Sequence, residues 1–216
     1  RNAYERCKTA GLTGDFLRLL IKNTITTAKK VFTDTKIADN PVSVVSLAFR
    51  KLKNLKVHDD ARILVIGAGE TNSNLCKYLF KHGYKNMAIF NRTLSKAEKL
   101  ADTYKQKGGN VSAHSLNELS EYRGGFDVLI SCTSSAEAVV TTELYSKLLN
   151  ADASKKIVID LAIPADVDSE VIEKNSLRYI GVNELREEAE KNLSIRQSEL
   201  TAAEVIIESG LLEFSS

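Results

Sequence analysis

The chain has no apolar run near the roughly 20 residues that a bilayer-crossing helix needs, and its opening RNAYERCKTAG lacks the charged-then-apolar layout of a secretory leader. A soluble protein with no membrane partner is expected. Cysteine is scarce: Cys7, Cys76 and Cys132 are far apart and odd in number, so neither a disulfide framework nor a paired metal or redox motif is encoded. A reducing cytoplasm is the expected setting. An excess of one charge is also missing, because 30 Lys and Arg stand against 28 Asp and Glu, and a formal net charge of +2 gives no large field to gather nucleic acid. His58, His82 and His114 have no ligand spacing between them, no serine sits in a nucleophile elbow, and no carboxylate pair is set out as acid and base. Repeats and low-complexity tracts are absent as well.

What is present is an ordinary globular composition, 43% hydrophobic and 27% charged, in 216 residues that suffice for one core with flanking pieces. Leu12, Phe16, Leu19, Leu20, Ala28, Val31 and Phe32 recur at three- and four-residue intervals and predict an amphipathic helix over 12–32. After the polar connection TDTKIADNP, Asn40 is expected to cap a second helix with Pro41 in its first turn, and Val42, Val45, Phe49 and Leu52 continue on one side. From Lys56 short apolar runs alternate with amphipathic stretches, the pattern of repeated strand–helix units. Strands are predicted over 62–66, 86–90, 111–114, 126–131, 156–161 and 178–182, with helices over 71–82, stopped at His82-Gly83, and 94–107, stopped at Gly108-Gly109. RILVIG and KIVIDLA show little polar alternation, as strands covered by helices on both faces should. The fold class read from this is α/β, a doubly wound parallel sheet of the Rossmann type, with helices before it and a long helix after it. That last helix is carried by Leu185, Ala189, Leu193, Leu200, Ala203, Ile207 and Leu211, and about 25 residues at 1.5 Å each give roughly 40 Å, long enough to project. Three regions follow: 1–54 helical, 55–182 dinucleotide-binding, and 183–216 the beginning of a long helix.

The informative motif is Arg62-Ile-Leu-Val-Ile-Gly67-Ala68-Gly69-Glu70-Thr71-Asn72, a strand entering a glycine turn and then a helix. Glycine allows the tight turn and close backbone approach to a pyrophosphate, and the helix amino end offers N–H groups and a positive dipole. The third glycine of the usual pattern is replaced by Asn72, which predicts a less close contact there. About 20 residues on, where such folds inspect the adenosine ribose, stand Asn91, Arg92 and Thr93. No carboxylate is present to accept from a 2′-hydroxyl, whereas the Arg92 guanidinium suits a 2′-phosphate, so NADPH is expected in preference to NADH. The fourth strand ends in FDVLISCTSS, placing Ser131, Cys132, Thr133 and Ser134 on the nicotinamide side, with Cys132 read as a structural residue. In DLAIPADVD, Asp166 and Asp168 are read as helix caps after Pro164, and the run Glu184 to Lys191 as a solvated helix face.

VSVVSLAFRKL, ILVIGAGET, NRTLSKAEKLA, DVLISCTSS, IDLAIPADVD and EKNLSIRQSELTAAEVII, in this order, resemble glutamyl-tRNA reductase over nearly the whole chain. NRT is shared with shikimate dehydrogenases; IDLAIPADVD and the terminal helix with Asn192, Arg196 and Glu204 discriminate for the reductase. The resemblance implies NADPH-dependent reduction of glutamyl-tRNA to glutamate-1-semialdehyde for tetrapyrrole synthesis, through a thioester on a cysteine of a Ser-Thr-Cys-Asn-Arg stretch. That stretch does not occur in these residues, and with no Met at Arg1 the nucleophile is expected upstream, leaving this fragment inactive alone. A homodimer and an aminotransferase that takes up glutamate-1-semialdehyde are implied as partners of the whole enzyme. Two departures from the family pattern are Thr71-Asn72 in place of Met-Gly and Ala165 in place of Arg. The alternatives are a shikimate-dehydrogenase-like NADPH oxidoreductase and a dinucleotide-binding sensor without catalysis.

Overall fold

In a computed structural model, residues 2–37 and 40–215 are described; Arg1, Ala38 and Asp39 of the polar connection, and Ser216 lie outside them. Two compact units result: residues 42–189, and residues 1–41 together with 190–216.

The larger unit is a six-stranded sheet in the order β3-β2-β1-β4-β5-β6. Its strands are β1 (Ile63–Ile66), β2 (Asn86–Asn91), β3 (Asn110–Ser115), β4 (Val128–Ser131), β5 (Lys156–Asp160) and β6 (Leu177–Gly181), and every pairing is parallel. Helices α3 (Val44–Asn54), α4 (Glu70–Lys81) and α5 (Leu94–Lys105) cover one face. A 3₁₀ turn (Leu116–Glu121), α6 (Thr142–Leu149) and α7 (Ser169–Lys174) cover the other. Successive strand residues point to opposite faces, and the two cores divide accordingly. Ile63, Val65, Ile89, Val128 and Ile130 join Leu47, Leu52, Leu75, Leu79 and Ala101, whereas Leu64, Ile66, Phe90, Leu129 and Val158 join Leu119, Tyr145, Leu148 and Val171. This is why these strands read as continuous apolar runs. The doubly wound parallel sheet is therefore borne out, and all six strands fall where periodicity places them to within two residues.

Three local expectations are corrected. Helix α3 starts at Val44 with Ser43 as its N-cap, because the Asn40 side chain turns back to donate to the Lys36 carbonyl at 3.3 Å and does not cap forward. The helix expected over 12–32 is α2 (Asp15–Asp34), preceded by a separate α1 (Asn2–Thr9), and Leu12 lies in the connection where Gly11 adopts φ 69°. The terminal helical stretch is α8 (Val182–Ser198) and α9 (Leu200–Ser215), interrupted at Glu199. There the Ser198 hydroxyl donates to the Ile195 carbonyl at 2.7 Å and Glu199 N–H turns tightly onto Arg196 O, a local competitor for the regular helical bonds.

The smaller unit joins α1, α2, α9 and the last part of α8. Helix α9 meets α2 at Gly210, whose carbonyl accepts from Asn23 Nδ2 at 2.7 Å and where a Cβ would stand 2.3 Å from Thr27 Oγ1. Glu199 accepts from the Lys36 backbone N–H at 2.9 Å, and Asn192 Nδ2 donates to Pro41 O at 2.7 Å. None of the described helices is long and apolar enough to cross a membrane.

At the amino ends of the strands, Arg62 donates to both oxygens of Asp127 and reaches Asp152, while the nearly buried Lys156 donates to Asp152 at 2.6 Å. The bond from the Arg62 guanidinium holds the Asp127 carboxyl below its ordinary range. A depressed folded-state pKa adds stability that is complete above the unfolded value and is lost as pH falls through the folded one. The unfolding free energy, measured by urea titration, should therefore fall between about pH 5 and about pH 2, and Asp127→Asn should flatten that dependence.

Candidate functional site

The strand order reverses between β1 and β4, and a cavity of about 400 Å³ opens outside their carboxyl ends. Gly67, Ala68, Gly69, Glu70 and Thr71 form one wall, Asn91, Arg92 and Thr93 another, and Cys132, Thr133 and Ser134 a third. Eleven of the residues singled out in the sequence thus share one cavity. Lys96, Leu116, Ser135 and Val139 line it too and were not singled out; Lys96 stands in the first turn of α5, just after the Asn91-Arg92-Thr93 turn.

The glycine turn is built for close approach. Gly67 has φ 96°, and a Cβ there would lie 2.2 Å from the carbonyl oxygen of Cys132, so only glycine lets the turn pass the end of β4. Gly69 is different: its φ of −76° suits any residue, and a Cβ would meet nothing within 4 Å. Neither backbone nor neighbours require glycine at 69, yet it lines the cavity at the N-cap of α4, where no side chain caps the helix. The free amides of the first turn and the open space at Gly69 together fit an anionic group of a ligand.

Asn91 lines the cavity but its amide is engaged within the protein, accepting from Ala68 N–H at 3.0 Å and donating to Thr93 O at 2.8 Å. It joins the glycine turn to the β2–α5 turn. Arg92 and Lys96 have no ion-pair partner among the described residues, so two uncommitted cations stand at the wall formed by the β2–α5 turn.

Two of the singled-out residues are outside the cavity. Asn72 is fully buried, and so is Ser131, whose hydroxyl donates to Asp166 at 2.6 Å. The reading of Asp166 as a helix cap is corrected: this buried carboxylate also accepts from Thr133 N–H at 2.8 Å and Thr133 Oγ1 at 2.6 Å, and its backbone carbonyl accepts from Val139 and Val140. Asp166 therefore fixes the third wall of the cavity, while Asp168 does cap α7, accepting from Glu170 N–H at 3.0 Å. Asp160 at the end of β5 is likewise buried, accepting from Ala162 and Val167 N–H, and burial pushes its pKa upward. No sequence signal separates such a buried carboxylate from a cap, because both follow a strand in a turn.

Chemically the lining binds more than it reacts. Burial raises the Cys132 thiol above its ordinary value, with a bond from Thr71 opposing, and Sγ faces Leu161 O at 3.6 Å, so no thiolate is poised there. The three cysteines are free, and no His, Cys, Asp or Glu cluster suited to a metal occurs among the described residues. A second cavity of about 260 Å³ lies at the β5 and β6 ends, lined by Ala162, Pro164, Ala165, Tyr179 and Asn183 among others.

Strand order, glycine turn and crevice together define a dinucleotide-binding dehydrogenase domain. The family model described as Shikimate / quinate 5-dehydrogenase matches residues 46–188, and the chain belongs to that family. Within this class the resemblance to glutamyl-tRNA reductase is borne out. The enzyme of that name from Pseudomonas aeruginosa is 34% identical over 217 residues, 99% of this chain and 50% of its own length. That from Stenotrophomonas maltophilia is 35% identical over 96% of this chain and 48% of its own. The structure of glutamyl-tRNA reductase from Methanopyrus kandleri superposes with a TM-score of 0.78 at 27% identity, covering 99% of this chain and 53% of that one. The chain spans about half the length of the curated relatives it matches.

The two glycines should respond oppositely to a methyl group. Gly67→Ala should lower the melting temperature severely or prevent folding, whereas Gly69→Ala should change stability by less than about 1 kcal/mol and yet weaken dinucleotide binding; thermal melts paired with titrations separate the two effects.

Proposed function

We propose that this chain is the NADPH-binding part of a glutamyl-tRNA reductase. The observation that carries this reading is the pairing, in one cavity, of an uncapped helix amino end at Gly69 with two uncommitted cations, Arg92 and Lys96, and no carboxylate at the end of β2. On this reading the first-turn amides of α4 hold the pyrophosphate, Arg92 and Lys96 hold the 2′-phosphate, and Cys132, Thr133 and Ser134 face the nicotinamide end. When bound, NADPH supplies a hydride. The chain's own residues bind and orient: Asn91 ties the phosphate-binding turn to the turn that carries Arg92, and Asp166 fixes Thr133.

The substrate reading follows the resemblance. Glutamyl-tRNA would pass its acyl group to a cysteine thiolate, and reduction of that thioester would release glutamate-1-semialdehyde. Such a nucleophile belongs to a Ser-Thr-Cys-Asn-Arg stretch, absent from these 216 residues, so we assign the acyl-accepting step to another part of the reductase and regard this chain as inactive by itself. Homodimerisation, delivery of the aldehyde to an aminotransferase and a cytoplasmic location belong to the same proposal, and so do the region boundaries at 54 and 182. The shikimate-dehydrogenase reading draws on the family model, but that match ends at residue 188, whereas the glutamyl-tRNA reductases also align with the helical unit. This favours the reductase.

Direct titration should show NADPH binding at least about tenfold tighter than NADH, a difference of about 1.4 kcal/mol, and Arg92→Ala should remove most of it. Equal affinities in the unmodified chain would defeat the NADPH assignment.

A further inference from the structure

We propose that Asn72 is a positioning residue for the glycine turn: its buried side-chain amide pins the two carbonyls of Ile66 and Gly67 and so fixes the conformation that leaves the α4 amino end open to the cavity. The cradle role of that end rests on the dinucleotide reading above; the pinning itself does not.

Asn72 sits in the first turn of α4 and is fully buried. Its Nδ2 carries two protons, and each has a backbone acceptor, Ile66 O at 2.8 Å and Gly67 O at 2.9 Å. The Ile66 carbonyl also accepts from Cys132 N–H at 3.0 Å, so one oxygen joins the ends of β1 and β4 and the start of α4. Gly67 N–H donates to Phe90 O at 2.7 Å, and Ala68 N–H donates to Asn91 Oδ1. From Ile66 O to Ala68 N–H, every backbone polar group of the turn is thus tied down within the protein. Beyond it, at Gly69, no side chain caps the helix. The turn is held rigid on its protein side and left open on its cavity side.

The other end of the same amide separates positioning from ordinary stabilisation. Asn72 Oδ1 is buried without a hydrogen-bond partner. An alanine here would favour the helix more and would leave no stranded acceptor, so stability of α4 alone does not account for an asparagine. The paired protons of Nδ2 do. Buried groups that break a local rule while preorganising a neighbouring loop are expected beside functional sites. In the usual motif a glycine at this position lets the helix approach the strand; here a side chain spans from the helix to the turn.

The test uses this chain with two probes. ADP-ribose 2′-phosphate carries both the pyrophosphate and the 2′-phosphate, whereas 2′-AMP carries only the latter. By calorimetric titration, Asn72→Ala should bind the first about tenfold more weakly and the second within about twofold. Asn72→Ser, whose single hydroxyl proton can restore one of the two bonds, should fall between, and it carries the comparison if Asn72→Ala does not fold. In the ligand-free chain, amide hydrogen exchange at residues 67–71 should accelerate in Asn72→Ala while the central strands keep their protection. Unchanged probe affinities with unchanged exchange would overturn the proposal, and so would equal loss of both probes with faster exchange across the whole sheet, which marks general loosening. If the unmodified chain bound neither probe, the dinucleotide reading would fall, while the exchange comparison would still decide whether Asn72 holds the turn.

Discussion

At residue 67 the chain passes so close to the end of β4 that a single methyl group would stand 2.2 Å from the Cys132 carbonyl oxygen. That approach sets where everything else can go. Because β1 and β4 are neighbours in register from Ile63 and Val128 to Ile66 and Ser131, the turn leaving β1 has β4 on one side and β2 on the other. Its Gly67 N–H is taken by Phe90 O of β2, and with φ at 96° the backbone reverses within two residues into α4. The helix therefore begins in the gap where the sheet changes direction, and its unpaired amides line a cavity instead of facing bulk water. The position of the site follows from the absence of one side chain.

The wall opposite the glycine turn is organised by charge. Asp160 and Asp166 are both buried, and each is surrounded by donors: backbone N–H groups for the first, Ser131, Thr133 and a backbone N–H for the second. A buried carboxylate is costly unless its oxygens are satisfied, and satisfying them draws the 161–168 loop onto the loop after β4. The isolated bridge between Val140 and Val167 completes that closure. These acids are spent on structure, and burial raises the pKa of Asp160. The cations Arg92 and Lys96, by contrast, have no such partners among the described residues and line the cavity. Two carboxylates are thus locked away inside the unit, and beside the exposed Glu70 two cations are left where a phosphorylated ligand can meet them.

Much of this was legible in the sequence because it rests on local patterns. Continuous apolar runs marked strands buried on both faces, and Gly83 and Gly108, at φ 101° and 79°, ended α4 and α5 where glycine allows a left-handed turn. Gly67 to Thr71, Asn91 to Thr93 and Cys132 to Ser134 converge as the topology of such a sheet requires. What escaped depends on long-range pairing. Asp166 read as a cap because a strand–turn–Asp sequence looks alike whether the carboxylate meets the next helix or a loop 33 residues earlier. Asn72 read as a poor substitute for glycine because nothing local tells that its amide will find two carbonyls. The interruption at Glu199 was invisible to periodicity, since Leu193, Leu200, Ala203 and Ile207 keep a helical spacing in the sequence across it.

The shared and unshared parts of the chain explain why two enzyme names meet here. The family model covers 46–188, the span that contains the sheet, the glycine turn and the cavity. The lining offers amides, hydroxyls, two cations, the Glu70 carboxylate and a thiol whose pKa burial raises, a set suited to gripping a reagent and poorly suited to accepting an acyl group. A dinucleotide half of this kind carries no information about what is reduced. Beyond it the chain adds the helical unit, through which the alignment with the glutamyl-tRNA reductases continues. Fold and cavity thus bear on how a dinucleotide is held, and the reach of the alignment beyond residue 188 bears on which relatives the chain resembles; the two inferences are independent, and neither could stand in for the other.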